Sequence, residues 1–596
     1  MGSSRTPRTD RSIPRGSSRT AQGRPVVAWF CAGLLAVTVF ATLWVGIRGA
    51  LAATHLLSAT ATAAELAAGF QEDGTLSEDI ADKLSDDTSA ARSLTSDPIW
   101  KVVSTAPWIG PQLTAVSAVS ASADIAASEA LPVLAAQGSI DLTSLTPRAG
   151  RIDAAAIAGL QEPLATASEA LARSAAAVDP VQVGALLAPL AEQVTEYRSL
   201  VEGAASGADA ANRAAQLAPG MLGVDEPRQY LLLFQNNAEW RSLGGIPGQV
   251  AHVSVDDGRI TLDSIVPASR FPEYAESVLP LADDVEAIYH DRPGQWMQDV
   301  TQVPDFTLSA ELASAMWNRE YGETVDGVFA VDTVTLSYLL AATGPISLPT
   351  GETVTSENAV PLLLNEVYYR YPSPTDQDAF FDAVAGTVFT SLTAGSPQPA
   401  PLLDALTRAG SERRLLAWSA DAGEQTVIVG TTLAGSLPAT DEEQATFGVY
   451  LNDGTGSKMD YYQTAESSVN WTQCTESSNV ASLTVTVSND SPPADQLPRY
   501  ITGGGAFGVP IGTTRSVVYA YLPAGYELVT SEVPPGVTTA GGSHDGRNVV
   551  TLVFDQTAGD ATTFTLTAQG PPASAVAADM TPTIAGPQTV IGSARC

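Results

Sequence analysis

The feature that most constrains this chain is an uncharged, proline-free apolar run near its N-terminus, Val26–Ile47. An α-helix rises about 1.5 Å per residue and needs about 20 apolar residues to cross the hydrocarbon core of a bilayer. Trp29 and Trp44 lie near the two ends of the run, where indole rings prefer the membrane interface. The run therefore predicts one transmembrane helix over residues 25–47, with the lipid bilayer as a partner.

The charges that flank this run predict its orientation. Six arginines and one aspartate precede it, whereas the whole chain carries a net charge of -35. The positive-inside rule then predicts a single-pass protein of the cell membrane, with a cytoplasmic N-terminus and an extracytoplasmic bulk. Residues 1–24, rich in Ser, Arg, Thr and Pro, are expected to be a disordered cytoplasmic tail. The alternative is a signal peptide cleaved at Ala50–Ala52, although the apolar run is longer than is usual for one.

The acidic composition limits the partners of the large region. Such a chain repels nucleic acid and anionic lipid headgroups, so no nucleic-acid partner is expected. Lysine occurs only at Lys83, Lys101 and Lys458, and alanine is abundant. We interpret this residue bias as the codon composition of a high-GC, actinobacterial genome. We interpret the acidic residues as a solvated surface that keeps the protein soluble.

An Ala-rich region with apolar residues at helical spacing follows the membrane run, over residues 48–218. Alanine has the highest helix propensity, and prolines fall where helices would begin or end. The region predicts an α-helical stalk standing on the membrane. Its segment 97–111, with two tryptophans and three prolines, is expected to be a packed turn; the alternative is an interfacial foot near the membrane.

The rest of the chain changes character twice. Residues 222–440 mix short apolar strands, an Asp-Gly hairpin turn at Asp257-Gly258 and amphipathic helices, which predicts a central α/β domain. Residues 441–596 contain alternating segments separated by Gly, Pro and Asp turns, which predicts a C-terminal all-β, sandwich-like domain. The fold class is therefore multi-domain, from the transmembrane helix through the stalk to the α/β and β domains.

The cysteines predict one cross-link. Cys31 lies within the membrane run, and the other two cysteines are Cys474 and Cys596. Because an even pair outside the membrane would meet an oxidising compartment, we expect a Cys474–Cys596 disulfide; the alternative is two free thiols.

The densest polar motif in the chain follows the strand Tyr230–Phe234, and it contains Asn236, Asn237, Glu239, Arg241, Gly244 and Gly245. Glu239 and Arg241, two apart on an extended segment, would face the same side and form an ion pair. Adjacent glycines allow backbone N–H groups to approach an anion closely. Two interpretations of the motif stay open, an anion or sugar-phosphate pocket, or a buried Glu–Arg pair and asparagines that brace an irregular turn, and we prefer the second. A second polar group, Tyr368–Arg370 with Asp376, Asp378 and Asp382, could line a glycan groove; the preferred alternative is a helix end followed by an acidic loop.

Three of these segments carry a resemblance to a known family. The strand followed by Asn-Asn-x-Glu-x-Arg-x-x-Gly-Gly, the string at Asp326–Asp332 and the string Ala342–Ile346 resemble the actinobacterial envelope family catalogued as domain of unknown function 4012. The resemblance extends over residues 50–596. It implies a membrane-anchored extracytoplasmic protein, associated with surface-polysaccharide production and without a settled activity.

A weaker likeness is to the LytR–CpsA–Psr phosphotransferases, which attach polyprenyl-pyrophosphate-linked glycans to the envelope. Arg241, Arg270 and Arg370 follow one another in the order of that family's basic residues, which implies that all three bind ligand. The family's Pro-Arg-Asp string is absent, and no arginine follows Asp378 where several are expected. Without them the charge of a pyrophosphate is poorly matched.

Motifs of other enzyme classes are missing from the sequence. It has no G-x-S-x-G, S-x-x-K, H-E-x-x-H or Walker-type string, and its four histidines are scattered. We expect no metal site and no cofactor. Catalytic residues stay unassigned and enzymatic activity stays open, with non-catalysis preferred.

The preferred function is a non-catalytic binding or assembly factor in cell-envelope or exopolysaccharide production, with envelope glycan or polysaccharide-assembly proteins as partners. The alternatives are a glycan phosphotransferase acting on polyprenyl-pyrophosphate-linked sugars, and a structural or adhesive surface protein.

Overall fold

A computed structural model describes residues 24–73, 77–136, 147, 150–394, 398–586, 588–591 and 596. The predicted disordered tail lies outside this range except for Arg24, and the side chains of residues 24–35 are also outside it. The chain divides into two compact units. The first comprises residues 1–139 and 165–209, and the second comprises residues 140–164 and 210–596.

The described part of the chain before the first strand is helical. Its helices are α1 (Arg24–Asp73), α2 (Glu78–Thr95), α3 (Pro98–Val103), α4 (Gly110–Ile125), α5 (Leu131–Ala135), α6 (Ala154–Ala158), α7 (Gln161–Val178) and α8 (Ala188–Met221). A π-helical turn, Ala126–Ala130, joins α4 to α5. The predicted helical stalk is confirmed.

Small side chains let the helices of the first unit pack closely. Ala59 and Leu66 of α1 form a buried cluster with Leu84 of α2 and Ala127. Local signals set the helix ends: the Asp97 carboxylate accepts hydrogen bonds from the N–H groups of Ile99 and Trp100, and proline occupies the first position of α3.

Two helices among the described residues are long and apolar enough to cross a membrane, Ala36–Gly69 and Gly110–Ala135. In the most apolar window of the first, 11% of the residues are buried in protein, against 28% for the second. The predicted span of residues 25–47 lies within α1. From Val37 to Leu43 its large apolar side chains are mostly exposed, whereas Val45 is buried against other helices.

The second unit contains the remaining helices and all the described strands. The helices are α9 (Asp283–Tyr289), α10 (Arg292–Gln295), α11 (Phe306–Tyr321), α12 (Thr333–Thr343), α13 (Ala359–Pro361), α14 (Val367–Arg370), α15 (Pro374–Ala394), α16 (Pro399–Ser411) and α17 (Ala422–Ile428). The strands are β1 (Arg228–Asn236), β2 (Ile246–Asp256), β3 (Arg259–Pro267), β4 (Gly327–Asp332), β5 (Ile346–Ser347), β6 (Thr353–Val354), β7 (Leu415–Ser419), β8 (Gln444–Asp453), β9 (Gln463–Cys474), β10 (Asn479–Asn489), β11 (Thr514–Tyr521), β12 (Glu527–Glu532), β13 (Thr538–His544), β14 (Arg547–Gln556), β15 (Ala561–Gly570), β16 (Ala575–Met580) and β17 (Gln588–Ile591).

The central sheet has the strand order β3-β2-β1-β4-β7. Strand β1 pairs antiparallel with β2 and parallel with β4. The β2–β3 turn has positive φ at Asp257 (46°) and Gly258 (76°), as a two-residue hairpin of the favoured hand requires. The predicted mixture of strands and helices is confirmed.

The two faces of this sheet pack differently. Leu231 and Leu233 of β1 belong to a buried core that includes residues of α11. Leu232 and Phe234, which alternate with them, are half-buried and face α12 and α15 across a cavity. One face is therefore closed by packing and the other is left partly open.

Residues 444–591 form two five-stranded sheets, β12-β15-β10-β9-β17 and β13-β14-β11-β8-β16. Strict alternation along β10 buries Leu483, Val485 and Val487 in a core shared by both sheets. The strand-rich C-terminal region is confirmed. The domain bounds 222–440 and 441–596 stay predictions, since both regions lie in the second compact unit.

Cys474, at the end of β9, is disulfide-bonded to Cys596, with 5.9 Å between the Cα atoms and 122 residues between them in sequence. A cross-link that closes so long a loop removes much of the conformational entropy of the unfolded chain.

Replacing both cysteines, Cys474→Ala with Cys596→Ala, is expected to lower the free energy of unfolding by up to about 5 kcal/mol, because the unfolded chain regains that entropy. Urea unfolding with and without reductant measures the effect. Reductant should shift the wild-type midpoint to that of the double variant and leave the variant unchanged; a wild-type midpoint insensitive to reductant would contradict the cross-link.

Candidate functional site

The predicted polar motif forms the buried loop between β1 and β2, residues 237–245. The Trp240 side chain is fully buried in the core between the two C-terminal sheets. Leu243, three residues later, belongs to the core beneath the central sheet. The loop therefore contributes one large side chain to each of two separate cores in the second unit.

Arg241 is held by protein groups on all sides. Its Nε and Nη2 atoms donate to Asp299 Oδ1 at 2.9 and 2.7 Å, and Nη1 donates to the Trp240 carbonyl at 2.7 Å. Burial opposes its charge, but the adjacent Asp299 carboxylate holds the pKa of Arg241 above its usual value. Arg292 also pairs with Asp299. The guanidinium of Arg241 is thus a structural group.

Glu239 points to a different partner, the ammonium group of Lys458, with which it forms a buried ion pair. Burial opposes the charge of Lys458, but Glu239 raises its pKa above the usual value. The Nζ atom also lies 5.1 Å from the ring centre of Tyr368 and 4.7 Å from that of Tyr500. The predicted Glu239–Arg241 pair is therefore wrong: each residue pairs with a residue distant in sequence.

The two asparagines make separate polar contacts. Asn236 donates to the Tyr368 hydroxyl at 3.1 Å. Asn237 donates to Asp332 Oδ2 at 3.0 Å and to the Pro582 carbonyl at 3.2 Å. Asp332 also forms a buried ion pair with Arg414 at 2.6 Å. Through these contacts the loop belongs to a buried network of hydrogen bonds and ion pairs.

The glycines of the motif are required by close backbone packing. A Cβ atom on Gly245 would lie 2.1 Å from the Asn236 carbonyl oxygen, and one on Gly244 would lie 2.6 Å from Gln235 Oε1. Gly244 also has φ 127°, which L side chains rarely adopt. These glycines therefore let the loop close on itself.

Arg270 and Arg370, implied by the phosphotransferase likeness, do not join Arg241. Arg370 is exposed and pairs with Glu352 and Glu366. Arg270 is also exposed and acts electrostatically on Asp378, whose pKa burial raises. The three arginines have different carboxylate neighbours.

The central sheet and the helices α12, α14 and α15 enclose a cavity of about 300 Å³. Apolar side chains form most of its wall, among them Leu232, Phe234, Leu336, Leu339, Val384 and Val388. Polar side chains gather at one end, among them Gln235, Glu239, Gln249, Gln298, Tyr368 and Lys458. The cavity thus combines a long apolar wall with a polar end.

Three glutamines at this polar end have an amide atom that is buried and has no hydrogen-bond partner among the described residues: Gln235 Nε2, Gln249 Oε1 and Gln298 Oε1. Gln235 and Gln249 are only 4% and 6% exposed. Buried polar atoms are nearly always paired, since an unmet hydrogen bond costs about 1–3 kcal/mol. These amides are therefore available to a polar group inside the cavity.

The charges along the wall are unbalanced. Three carboxylates line the cavity, those of Glu239, Asp332 and Asp378, and the one described cation that lines it is Lys458. Glu239 already neutralises Lys458. No group of three or more His, Cys, Asp or Glu side chains suited to a metal ion occurs in the described part of the chain.

Sequence reasoning found part of this site. It selected Asn236, Glu239 and Tyr368, which line the cavity, and Asp378 from the weaker polar group also does so. It missed Lys458 and Gln249. The available signal for Lys458 was its rarity, as one of three lysines in the chain; Gln249 sits in an ordinary alternating strand and carries no signal.

Residues 225–368 match the model of the family described as Protein of unknown function (DUF4012). The match runs from just before β1 into α14, so it includes the polar loop and one wall of the cavity. It is shorter than the 50–596 likeness expected from the sequence. A comparison with curated proteins gave no match.

The Glu239–Lys458 pair should behave as a coupled unit. Glu239→Leu or Lys458→Met alone is expected to lower the free energy of unfolding by about 3–5 kcal/mol, because each leaves an uncompensated buried charge. The double variant should lose clearly less than the sum of the two losses. Urea unfolding measures all three.

The exposed pair of Arg515 and Asp555 provides the control. Arg515→Met should change the free energy of unfolding by about 1 kcal/mol or less. Additive losses for Glu239 and Lys458 would show that the two side chains do not interact.

Proposed function

We propose that this chain is a membrane-anchored, extracytoplasmic binding protein that holds an amphiphile with a single apolar chain, without catalysing its conversion. The observation that carries the proposal is the cavity of about 300 Å³, with apolar walls and a polar end. Its volume is at the lower limit of ligand pockets, which suits one linear chain better than a two-chain lipid.

The apolar walls supply the driving force for binding. Leu232, Phe234 and Val388 stand across the cavity from one another on the sheet and on α15. Burying a hydrocarbon chain between them contributes about 0.8 kcal/mol per methylene group. One wall of the cavity is a sheet that packs on a closed core at its other face, which favours a site formed before a ligand enters.

The polar end favours an uncharged head. Lys458 is already paired with Glu239, and the Asp378 carboxylate has no ion-pair partner among the described residues, so an added anion would be repelled. The unpartnered amides of Gln249 and Gln298 can each accept a hydrogen bond from a hydroxyl or amide group. A neutral hydroxyl-bearing or sugar-bearing head therefore suits this end better than a phosphate.

The same contacts argue for binding without catalysis. Lys458 is paired with Glu239, and Asp332 with Arg414. A general base or nucleophile needs a free, activated group within reach of the substrate. These four charged groups instead neutralise one another in two ion pairs.

Support for the membrane anchor comes from α1. Its apolar side chains at Val37, Phe40 and Leu43 are between 57% and 65% exposed, as a helix surrounded by lipid would be. Six arginines precede the run and favour a cytoplasmic N-terminus. The proposal that this protein acts in the actinobacterial envelope, in polysaccharide production, rests on the sequence resemblance.

The phosphotransferase alternative has less support. A transferred pyrophosphate requires several cations around its oxygens. Arg241 is buried against Asp299, and Arg370 is exposed beside two glutamates. No observation favours the structural or adhesive alternative.

Filling the cavity should abolish binding. The full chain, reconstituted in bilayer discs, is exposed to a long-chain alcohol bearing a photoreactive diazirine, and labelled peptides are identified by mass spectrometry. Ala385→Trp places an indole in the cavity wall and should lower labelling of α15 by at least about tenfold, equivalent to about 1.4 kcal/mol. Thr390→Trp, exposed on the same helix, is the matched control and should label normally. Equal labelling in both variants, or wild-type labelling confined to α1, would contradict the proposal.

Head-group preference is tested with two competitors of equal chain length, an unlabelled alcohol and its phosphate monoester. The alcohol should displace the labelled alcohol better, because the phosphate would bring negative charge beside Glu239 and Asp378. Stronger displacement by the phosphate would show that the polar end binds anions, and would favour the phosphotransferase alternative.

A further inference from the structure

A second surface of functional interest lies in the first unit, where the segment 97–111 packs against α1. Arg48 of α1 forms an ion pair with Asp97 at 2.9 Å and donates to the Leu94 carbonyl, also at 2.9 Å. Trp44 and Val45 contact the apolar residues of α3. These contacts place α3 at the level of residues 44–48, where the predicted membrane span ends.

Large apolar side chains of this segment are left uncovered. Trp108 is 92% exposed, Val102 70% and Ile109 48%. Trp108 also has φ 76°, a left-handed conformation that costs a non-glycine residue about 1–2 kcal/mol. A contiguous group of exposed apolar side chains is typical of a site that contacts a second apolar surface, such as a protein or a membrane.

A second loop lies at the same end of the helical unit. The Gln112 side chain, at the start of α4, donates to the Ala185 carbonyl at 3.0 Å and accepts from the Leu187 N–H at 3.1 Å. Leu187 itself is 69% exposed. The α3–α4 and α7–α8 connections therefore present apolar side chains side by side.

The charge at this end differs from that of the chain as a whole. No acidic residue occurs between Asp97 and Asp124 or over residues 180–191, although the net charge of the chain is -35. The charged residue in these stretches is Lys101, whose side chain is exposed. The α3–α4 connection is therefore repelled less by an anionic leaflet than the acidic remainder is, whereas Asp179 and Glu192 flank the second stretch.

We propose that Val102, Trp108, Ile109 and Leu187, here named the interfacial face, insert into the headgroup region of the bilayer that α1 crosses. The inference rests on the proposed membrane anchor. Tryptophan and aliphatic side chains next to a lysine are the composition of a membrane interface. With α1 as the first attachment, the interfacial face is a second one, and two attachments stop the helical unit from tilting freely about the end of its anchor.

The test uses the full chain in liposomes, with Cys31→Ser as background and single cysteines labelled with a polarity-sensitive fluorophore. Trp108→Cys and Val102→Cys report on the interfacial face. Ser206→Cys, exposed on α8 and roughly 28 Å further along that helix from Leu187, is the water-exposed control. Leu43→Cys reports on the anchor itself. Each label is challenged with lipids brominated near the headgroup and with aqueous iodide.

The expected result is that labels at 102 and 108 are quenched by brominated lipid at least about threefold more than the label at 206, and are protected from iodide. If brominated lipid quenches the label at 43 while the labels at 102 and 108 respond like the label at 206, the proposed insertion of the interfacial face is contradicted and the proposed anchor is supported. If iodide also quenches the label at 43, both the anchor and the insertion of the interfacial face are contradicted. Trp108→Ala gives an independent readout. The fraction of native tryptophan fluorescence that brominated lipid quenches should be smaller in this variant than in the wild type.

Discussion

The second unit depends on charge that is buried inside the loop between β1 and β2. Removing a charged side chain from water costs several kcal/mol unless a partner and further hydrogen bonds replace the solvent. Arg241 meets this requirement with Asp299, and Glu239 meets it with Lys458. Since Trp240 between them is fixed in the C-terminal core, the loop has little freedom to move without breaking both pairs. The polar end of the cavity is consequently rigid before any ligand arrives.

The cavity itself follows from the unequal packing of the central sheet. Leu231 and Leu233 reach a close-packed core, whereas Leu232 and Phe234 on the opposite face stay half-buried. Protein interiors are normally packed to the density of organic crystals, so an apolar gap of this size costs stability unless something fills it. The gap adjoins unpartnered glutamine amides, which an apolar ligand alone would leave unsatisfied. The proposed amphiphile would answer both deficits at once, because its chain would cover the apolar wall and its head would pair with the amides.

Local patterns predicted several elements of this fold, and contacts between residues distant in sequence determine the site. The Asp257-Gly258 turn, the alternation of β10 and the alanine-rich helices are written in short stretches of sequence, and each was predicted correctly. The pairing of Glu239 was not, because the two-residue spacing assumed an extended segment. The loop instead turns at both ends of the motif: the Glu239 N–H donates to the Asn236 carbonyl and the Gly244 N–H to the Arg241 carbonyl. Lys458 lies 219 residues from Glu239, beyond the reach of any local pattern.

The distribution of charge matters more than its total in relating this chain to a membrane. A net charge of -35 opposes contact with an anionic leaflet, and that repulsion falls off within about 8 Å at physiological ionic strength. Only the part of the protein within that distance of the lipid therefore needs to be free of acidic residues. At the α3–α4 connection Asp97 is paired with Arg48, and the next acidic residue along the chain is Asp124, near the far end of α4 and roughly 21 Å from its first residue. The α7–α8 connection meets the condition less well, because Glu192 is exposed five residues after Leu187. Under the proposed anchoring, the α3–α4 connection can therefore lie against the lipid with Lys101 as its exposed charge, while acidic residues further along the chain stay solvated.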